Sequence, residues 1–148
     1  MDKKIKALFF DIDGTLVSFK THKIPQSTVD ALELAKKNGV EVYISTGRPQ
    51  LLITNLGQIE HLIDGYITTN GARCFVGDKV VSQHAILPED VKKIIEAADR
   101  DDYPAIVVGV HHLAIHHYTD EVYEVFAKGL GVDCEIFLTD VNELGDEQ

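Results

Sequence analysis

Cysteine is scarce in this 148-residue chain, and the two present, Cys74 and Cys134, are too few and too far apart for a disulfide framework or a zinc knuckle. Both read as reduced thiols among apolar neighbours at strand-like spacing, which predicts small core or near-core positions. Long apolar runs are missing too: no stretch approaches the ~20 residues of a membrane span. Met1-Asp2-Lys3-Lys4 is not followed by the apolar segment and small-residue cleavage site of a signal peptide, so a cytoplasmic location is expected. Basic charge is short, with 14 Lys and Arg against 24 Asp and Glu for a formal net charge of -10. The few cations are scattered, which disfavours nucleic acid as a partner. A small phosphorylated substrate stays compatible, because one or two placed cations, a metal and backbone amides outweigh an unfavourable global field at short range. No internal repeat, low-complexity tract or long linker is present.

What is there is the composition of a soluble globular chain, 45% hydrophobic and 26% charged, at a length that suits one ordinary domain. Ile5 to Phe10 is a short apolar run ending abruptly in acidic residues, the pattern of a strand buried on both faces of a parallel sheet. Pro25 and Ser27 open a helical stripe of Val29, Leu32 and Ala35, closed by Asn38-Gly39. Val40 to Ile44 reads as a second strand running into Ser45-Thr46-Gly47-Arg48-Pro49, where Pro49 suits the first turn of a helix continuing to about Glu60. Tyr66 to Thr69 reads as a third strand. This alternation predicts an α/β unit with a parallel sheet and polar loops on one edge.

From Ala72 the alternation stops. Arg73 to Val76 and Lys79 to Ser82 flank Gly77-Asp78 as a hairpin. Pro88 starts a helix with Val91, Ile94, Ile95 and Ala98 on one stripe, followed by strand candidates Ala105 to Val110 and Leu113 to His117. Thr119 suits an N-cap for a helix running to about Leu130, and Cys134 to Leu138 is a final strand candidate. The expected division is residues 1–85 and residues 86–148, an α/β segment followed by an α+β layer.

The chemistry lies at the strand ends. Asp11 and Asp13, one residue apart beyond a buried strand, can face one pocket, and such a like-charged pair calls for a compensating cation. Mg²⁺ prefers oxygen ligands, so Asp11, the backbone carbonyl of Asp13 and a bound phosphate form a plausible partial shell. Gly14 permits a tight turn, and Thr15 adds a hydroxyl and an amide, so that exposed amides of this loop can cradle phosphate oxygens. Asp, Asp, Gly and Thr at this spacing arise by chance in roughly one chain in a thousand of this length. At the second strand end the hydroxyl of Thr46 and the successive amides of Gly47 and Arg48, at the start of a helix, can hold a phosphoryl group.

These segments resemble the haloacid dehalogenase (HAD) superfamily of phosphatases, in particular its Cof-type (subfamily IIB) sugar-phosphatase-like branch. Asp11-Ile12-Asp13-Gly14-Thr15-Leu16 is similar to the superfamily's first motif, Ser45-Thr46-Gly47-Arg48 to its second, and Asn70-Gly71-Ala72 to a segment typical of the branch. The resemblance implies a Rossmann-like core with a partial parallel sheet and the beginning of an inserted α+β cap. It implies an Mg²⁺-dependent phosphatase in which Asp11 is the nucleophile, forming an aspartyl phosphate, and Asp13 the general acid and base. Thr46 would bind the transferring group, with Arg48 and Asn70 near the mouth of the site. Alternatives are a phosphomannomutase-like phosphotransferase and a non-catalytic, receiver-like phosphate-binding module.

The resemblance also implies a downstream Lys and a Gly-Asp-containing acidic loop that complete the site, and neither is present; Gly145-Asp146 is the only late candidate. The chain is therefore expected to be an N-terminal portion, whether as a fragment, with its other half on a separate chain, or as a naturally short product. An incomplete core would leave a sheet edge open to self-association. Finally, His111, His112, His116 and His117 invite a metal reading, since imidazole suits zinc and similar ions. No Cys or carboxylate stands at zinc spacing with them, and exposed strand side chains are the plainer expectation.

Overall fold

The computed structural model describes residues 4–129, 131, 137–138 and 140–147. The chain forms two compact units, Met1–His84 and Ala85–Gln148.

The first unit is a five-stranded sheet in the order β1-β2-β3-β4-β5. Its strands are β1 (Ala7–Phe10), β2 (Glu41–Ser45), β3 (Gly65–Thr68), β4 (Arg73–Val76) and β5 (Lys79–Gln83). The first three are parallel, with Phe10 opposite Ile44 and Ile44 opposite Tyr66. Strands β4 and β5 add antiparallel around Gly77, whose φ of 53° supplies the left-handed turn residue. Helix α1 (Gln26–Lys37) starts after Pro25 and ends at Asn38, with Gly39 at φ 75°. Its buried stripe, Val29 and Leu32, meets the Val42 and Ile44 face of β2 in one cluster with Ile12, Leu16, Ile24 and Ile59. Fully burying each such aliphatic side chain contributes about 1.5–3 kcal/mol, which fixes the face and hence the strand register.

Two expectations change here. The helix after Pro49 does not form; the segment holds only short 3₁₀ turns at Gln50–Leu52 and Glu60–Leu62. Ile53, Thr54, Asn55 and Gly57 are poor helix formers, and Leu52, Leu56 and Ile59 are buried without a helix to carry them. Strand β1 is also not buried on both faces: Phe9 is 58% exposed and stacks on Tyr43 at 5.0 Å between ring centroids. Cys74, on β4, is a half-buried free thiol, whereas Cys134 lies outside the described residues.

In the second unit, α2 (Pro88–Asp101) has Pro at its first turn, Glu89 and Asp90 at its positive end, and buried Val91 and Ala98. Strands β6 (Ala105–Val108), β7 (Leu113–His116) and β8 (Phe137–Leu138) form a sheet in that order, β6 antiparallel and β8 parallel to β7. The remainder of the final strand candidate lies outside the described residues. Thr119 caps α3 (Asp120–Val122), its Oγ1 accepting from Val122 N at 3.3 Å, and the chain continues in π-type turns over Tyr123–Lys128 rather than as the expected α-helix. Residues 130, 132–136 and 139 fall outside the description. Ala114, Val141 and Leu144 are buried together, with Ile95 and Val107 against them. No helix among the described residues is long and apolar enough to cross a membrane.

Candidate active site

Three parallel strands end on the same edge of the first sheet, and each hands the chain to a polar loop. After β1 the loop is folded around one buried anchor. Ile12, fully buried, offers its carbonyl to the amides of Thr15, Leu16 and Val17 at 3.3, 3.1 and 2.9 Å. Gly14 N donates to Val17 O at 2.9 Å. Gly14 takes φ 77°, and a Cβ there would lie 2.5 Å from the Phe19 ring, so both backbone and space call for glycine. With Ile12 pulled into the core, Asp11 and Thr15 are left exposed and Asp13 half-buried.

The loop after β2 is tied to both neighbours. Thr46, 6% exposed, donates its amide to Ile67 O at 2.9 Å, and its Oγ1 accepts from Arg48 N at 3.1 Å. Gly47 is exposed, and its N–H has no acceptor among the described residues. A Cβ on Gly47 would meet Asn70 Oδ1 at 3.1 Å, which places the Asn70 amide against this turn. The loop after β3 joins through its backbone: Thr69 N donates to Arg48 O at 3.0 Å and Asn70 N to Thr46 O at 3.2 Å. Thr69, Asn70 and Gly71 all have positive φ, at 51°, 53° and 95°. Such a run is strained for non-glycine residues and marks a tightly specified turn.

Arg48 is where the structure departs most from the sequence reading. Its side chain lies inside rather than at the mouth, only 8% exposed. Nε and Nη2 donate to Asp13 Oδ2 and Oδ1 at 2.7 and 2.8 Å, and Nη1 donates to Leu52 O at 2.8 Å. This bidentate fork binds the first loop to the second and occupies both oxygens of the Asp13 carboxylate. No motif spacing announces it, because the partners are 35 residues apart.

These contacts bring Asp13, Thr46, Gly47, Arg48 and Asn70 into one network, while Asp11 and Thr15 share the first loop without a side-chain bond to it among the described residues. The donor set suits a hard cation. Asp11 presents a carboxylate that no described side chain engages, whereas the carboxylate of Asp13 is committed to Arg48, leaving its carbonyl as that residue's donor. Two protein oxygens with water and phosphate filling the rest is the way Mg²⁺ is commonly held. The helix N-terminus expected beyond Arg48 is a single 3₁₀ turn, so the polar donors at this strand end are the Thr46 hydroxyl and the Gly47 amide.

The family of haloacid dehalogenase-like hydrolases matches residues 8–136. A solved HAD subclass IIB sugar phosphatase is 43% identical, covering 97% of this chain and 55% of that one, with a TM-score of 0.86. A phosphatase of the haloalkanoate enzyme superfamily from Bacteroides thetaiotaomicron is 30% identical over 97% of this chain and 53% of its own, with a TM-score of 0.78. Phosphatase YwpJ of Bacillus subtilis is 32% identical over 68 residues, which are 46% of this chain and 24% of that protein. The chain spans between 19% and 40% of the length of the curated relatives it matches.

Proposed function

The chain belongs to the haloacid dehalogenase-like hydrolase family, and from that premise we propose that it carries the nucleophile-bearing half of an Mg²⁺-dependent phosphatase acting on small phosphate monoesters, sugar phosphates first among them. The observation that carries the reading is the convergence of three strand-end loops through the Asp13–Arg48 fork and the Thr46–Asn70 and Arg48–Thr69 backbone bonds. The sugar phosphatase at 43% identity supports the substrate class.

In this reading an Asp11 carboxylate oxygen attacks phosphorus in line, the bond from phosphorus to the leaving oxygen breaks, and that oxygen takes a proton from Asp13. Asp11 is left as an aspartyl phosphate. Asp13 then accepts a proton from water as the water oxygen attacks phosphorus, freeing inorganic phosphate and restoring both side chains. The Thr46 hydroxyl, already accepting from Arg48 N, keeps its own proton for a phosphoryl oxygen, and the Gly47 amide supplies a second donor. Mg²⁺ held by Asp11 and the Asp13 carbonyl would neutralise phosphate charge. Because Arg48 grips both Asp13 oxygens in the carboxylate form, the acid step requires the Asp13 carboxyl to release at least one guanidinium donor, take up a proton from solvent water and turn to the leaving group. Arg48 is therefore assigned to positioning Asp13 rather than to phosphate. The second unit is assigned to substrate selection, and the setting to the cytoplasm.

The test is inorganic phosphate release from a panel of hexose and pentose phosphates, with Mg²⁺ and with chelator. Turnover that requires Mg²⁺ and vanishes in Asp11→Asn is expected; an Asp11→Asn protein that still turns over ends the assignment.

A further inference from the structure

The second unit holds a cluster of metal-binding side chains that phosphoryl transfer does not use. Asp99 on the last turn of α2 and His116 and His117 at the end of β7 bring three ligand atoms within 4.8 Å of one another. His116 Nε2 and His117 Nε2 lie 2.7 and 3.0 Å from the same atom, Asp99 Oδ1. Adjacent residues of a strand ordinarily point to opposite faces. His117 escapes that alternation because its φ is 55°, and its ring stacks on His116 at a centroid separation of 4.3 Å. A left-handed backbone at a non-glycine residue persists only where the surroundings enforce it, and here it aims two imidazoles at one point.

A second observation bears on the same spot. The Nδ1 of His117 is buried without a hydrogen-bond partner, and Asp102 Oδ1 stands 3.7 Å from it. Asp102, which ends α2, is itself left-handed at φ 53°. For Nε2 to coordinate an ion, Nδ1 must carry the proton, and a carboxylate accepting from Nδ1–H is the usual outer partner of a metal-bound histidine.

We propose that Asp99, His116 and His117 form a site for a divalent transition ion of the zinc class, with Asp102 fixing the tautomer of His117. Two imidazole nitrogens and one carboxylate oxygen suit Zn²⁺ or Co²⁺ and not Mg²⁺, which prefers an all-oxygen shell. With bonds of about 2.0–2.2 Å, a tetrahedral ion holds its ligands roughly 3.3 Å apart. The separations of 2.7 and 3.0 Å therefore need to open by only a few tenths of an ångström. The side chains are 56%, 20% and 31% exposed for Asp99, His116 and His117, which gives an ion a path in. Three protein ligands leave a fourth position for water or an anionic group. The missing carboxylate of the sequence reading is thus Asp99, 17 residues before His116.

The untagged chain is titrated with Co²⁺, followed by the visible ligand-field band, and with Zn²⁺ by calorimetry. One equivalent with a tetrahedral Co²⁺ spectrum is expected, displaced by Zn²⁺. Asp99→Asn, His116→Gln and His117→Gln should each lose it, and Asp102→Asn should bind about tenfold more weakly. Asp11→Asn, His111→Gln and His112→Gln should bind as the parent does. Absence of the band in the parent, or binding that survives loss of both His116 and His117, overturns the proposal. Because a variant can misfold, Cu²⁺ electron paramagnetic resonance on the unmutated chain provides an independent count. Two coordinated nitrogens are expected, and an all-oxygen signal overturns the site.

Discussion

The Arg48–Asp13 fork makes a quantitative demand. Arg48 is 8% and Asp13 32% exposed at the side chain, so the pair is neither solvated nor fully enclosed. Replacing Arg48 by Met keeps much of the apolar stem and removes three donors, two to Asp13 and one to Leu52 O. A buried carbonyl left without a partner costs about 1–3 kcal/mol, and a charge-assisted bond contributes about 1.5–3 kcal/mol net. Water reaching Asp13 reduces the second figure, which leaves an expected loss of about 2–4 kcal/mol for Arg48→Met. Lys retains the charge but not the fork, so Arg48→Lys should cost about 1–2 kcal/mol. Asp13→Asn leaves a buried guanidinium uncompensated and should cost a similar 2–3 kcal/mol. In the double variant each loss spares the other, giving a coupling of about 1–2 kcal/mol. Urea unfolding followed by far-UV circular dichroism, at unchanged m-value, measures all four corners of the cycle. Additivity within about 0.3–0.5 kcal/mol would refute the fork as a structural link between the first two loops.

Other consequences are local. A Cβ on Gly65 would sit 2.6 Å from Phe75 O and 3.0 Å from the Tyr43 ring, and a ladder carbonyl cannot step aside. Gly65→Ala should therefore destabilise by about 1–3 kcal/mol in the same unfolding assay, against almost nothing for Gly57→Ala, which meets open space. Asp64 is a different case: burial would raise its pKa, but the Lys36 ammonium at 2.6 Å and the Val42 amide at 2.7 Å outweigh this and hold it below the usual carboxylate range. A carboxyl with a lowered folded-state pKa stabilises above its unfolded value and loses that contribution as pH falls through the folded one. Asp64→Asn should cost about 1 kcal/mol at pH 7 and flatten the decline of stability on the acid side, read from melts across pH. Equal acid sensitivity in the parent and Asp64→Asn would contradict the assigned partners.

Much of the first unit was legible because local signals and burial agree there. The strand end at Phe10, the second strand to within one residue of its end at Ser45, the Gly77-Asp78 hairpin and the α1 stripe all follow from spacing and turn chemistry. Composition could not tell that Phe9 faces outward, since an apolar run reads the same whether one face is covered or both. Nor could a Pro at a first turn create a helix where Ile53 to Gly57 opposes it. The site residues were legible as loops, but the Arg48–Asp13 fork was not, because it depends on two loops meeting across β1 and β2. The Asp99 cluster was illegible for a sharper reason. His116 and His117 converge only through the left-handed backbone at His117, which no residue type at that position signals.

The central claim is that Asp11 takes a phosphoryl group. It is tested most directly by incubating the chain with Mg²⁺ and a small acyl phosphate donor, reducing with borohydride, and sequencing the peptides by mass spectrometry. An aspartyl phosphate is reduced to homoserine, so homoserine at position 11 alone, absent without donor and absent in Asp11→Asn, is the predicted result. No conversion at position 11, or conversion at another carboxylate that persists in Asp11→Asn, would contradict the account.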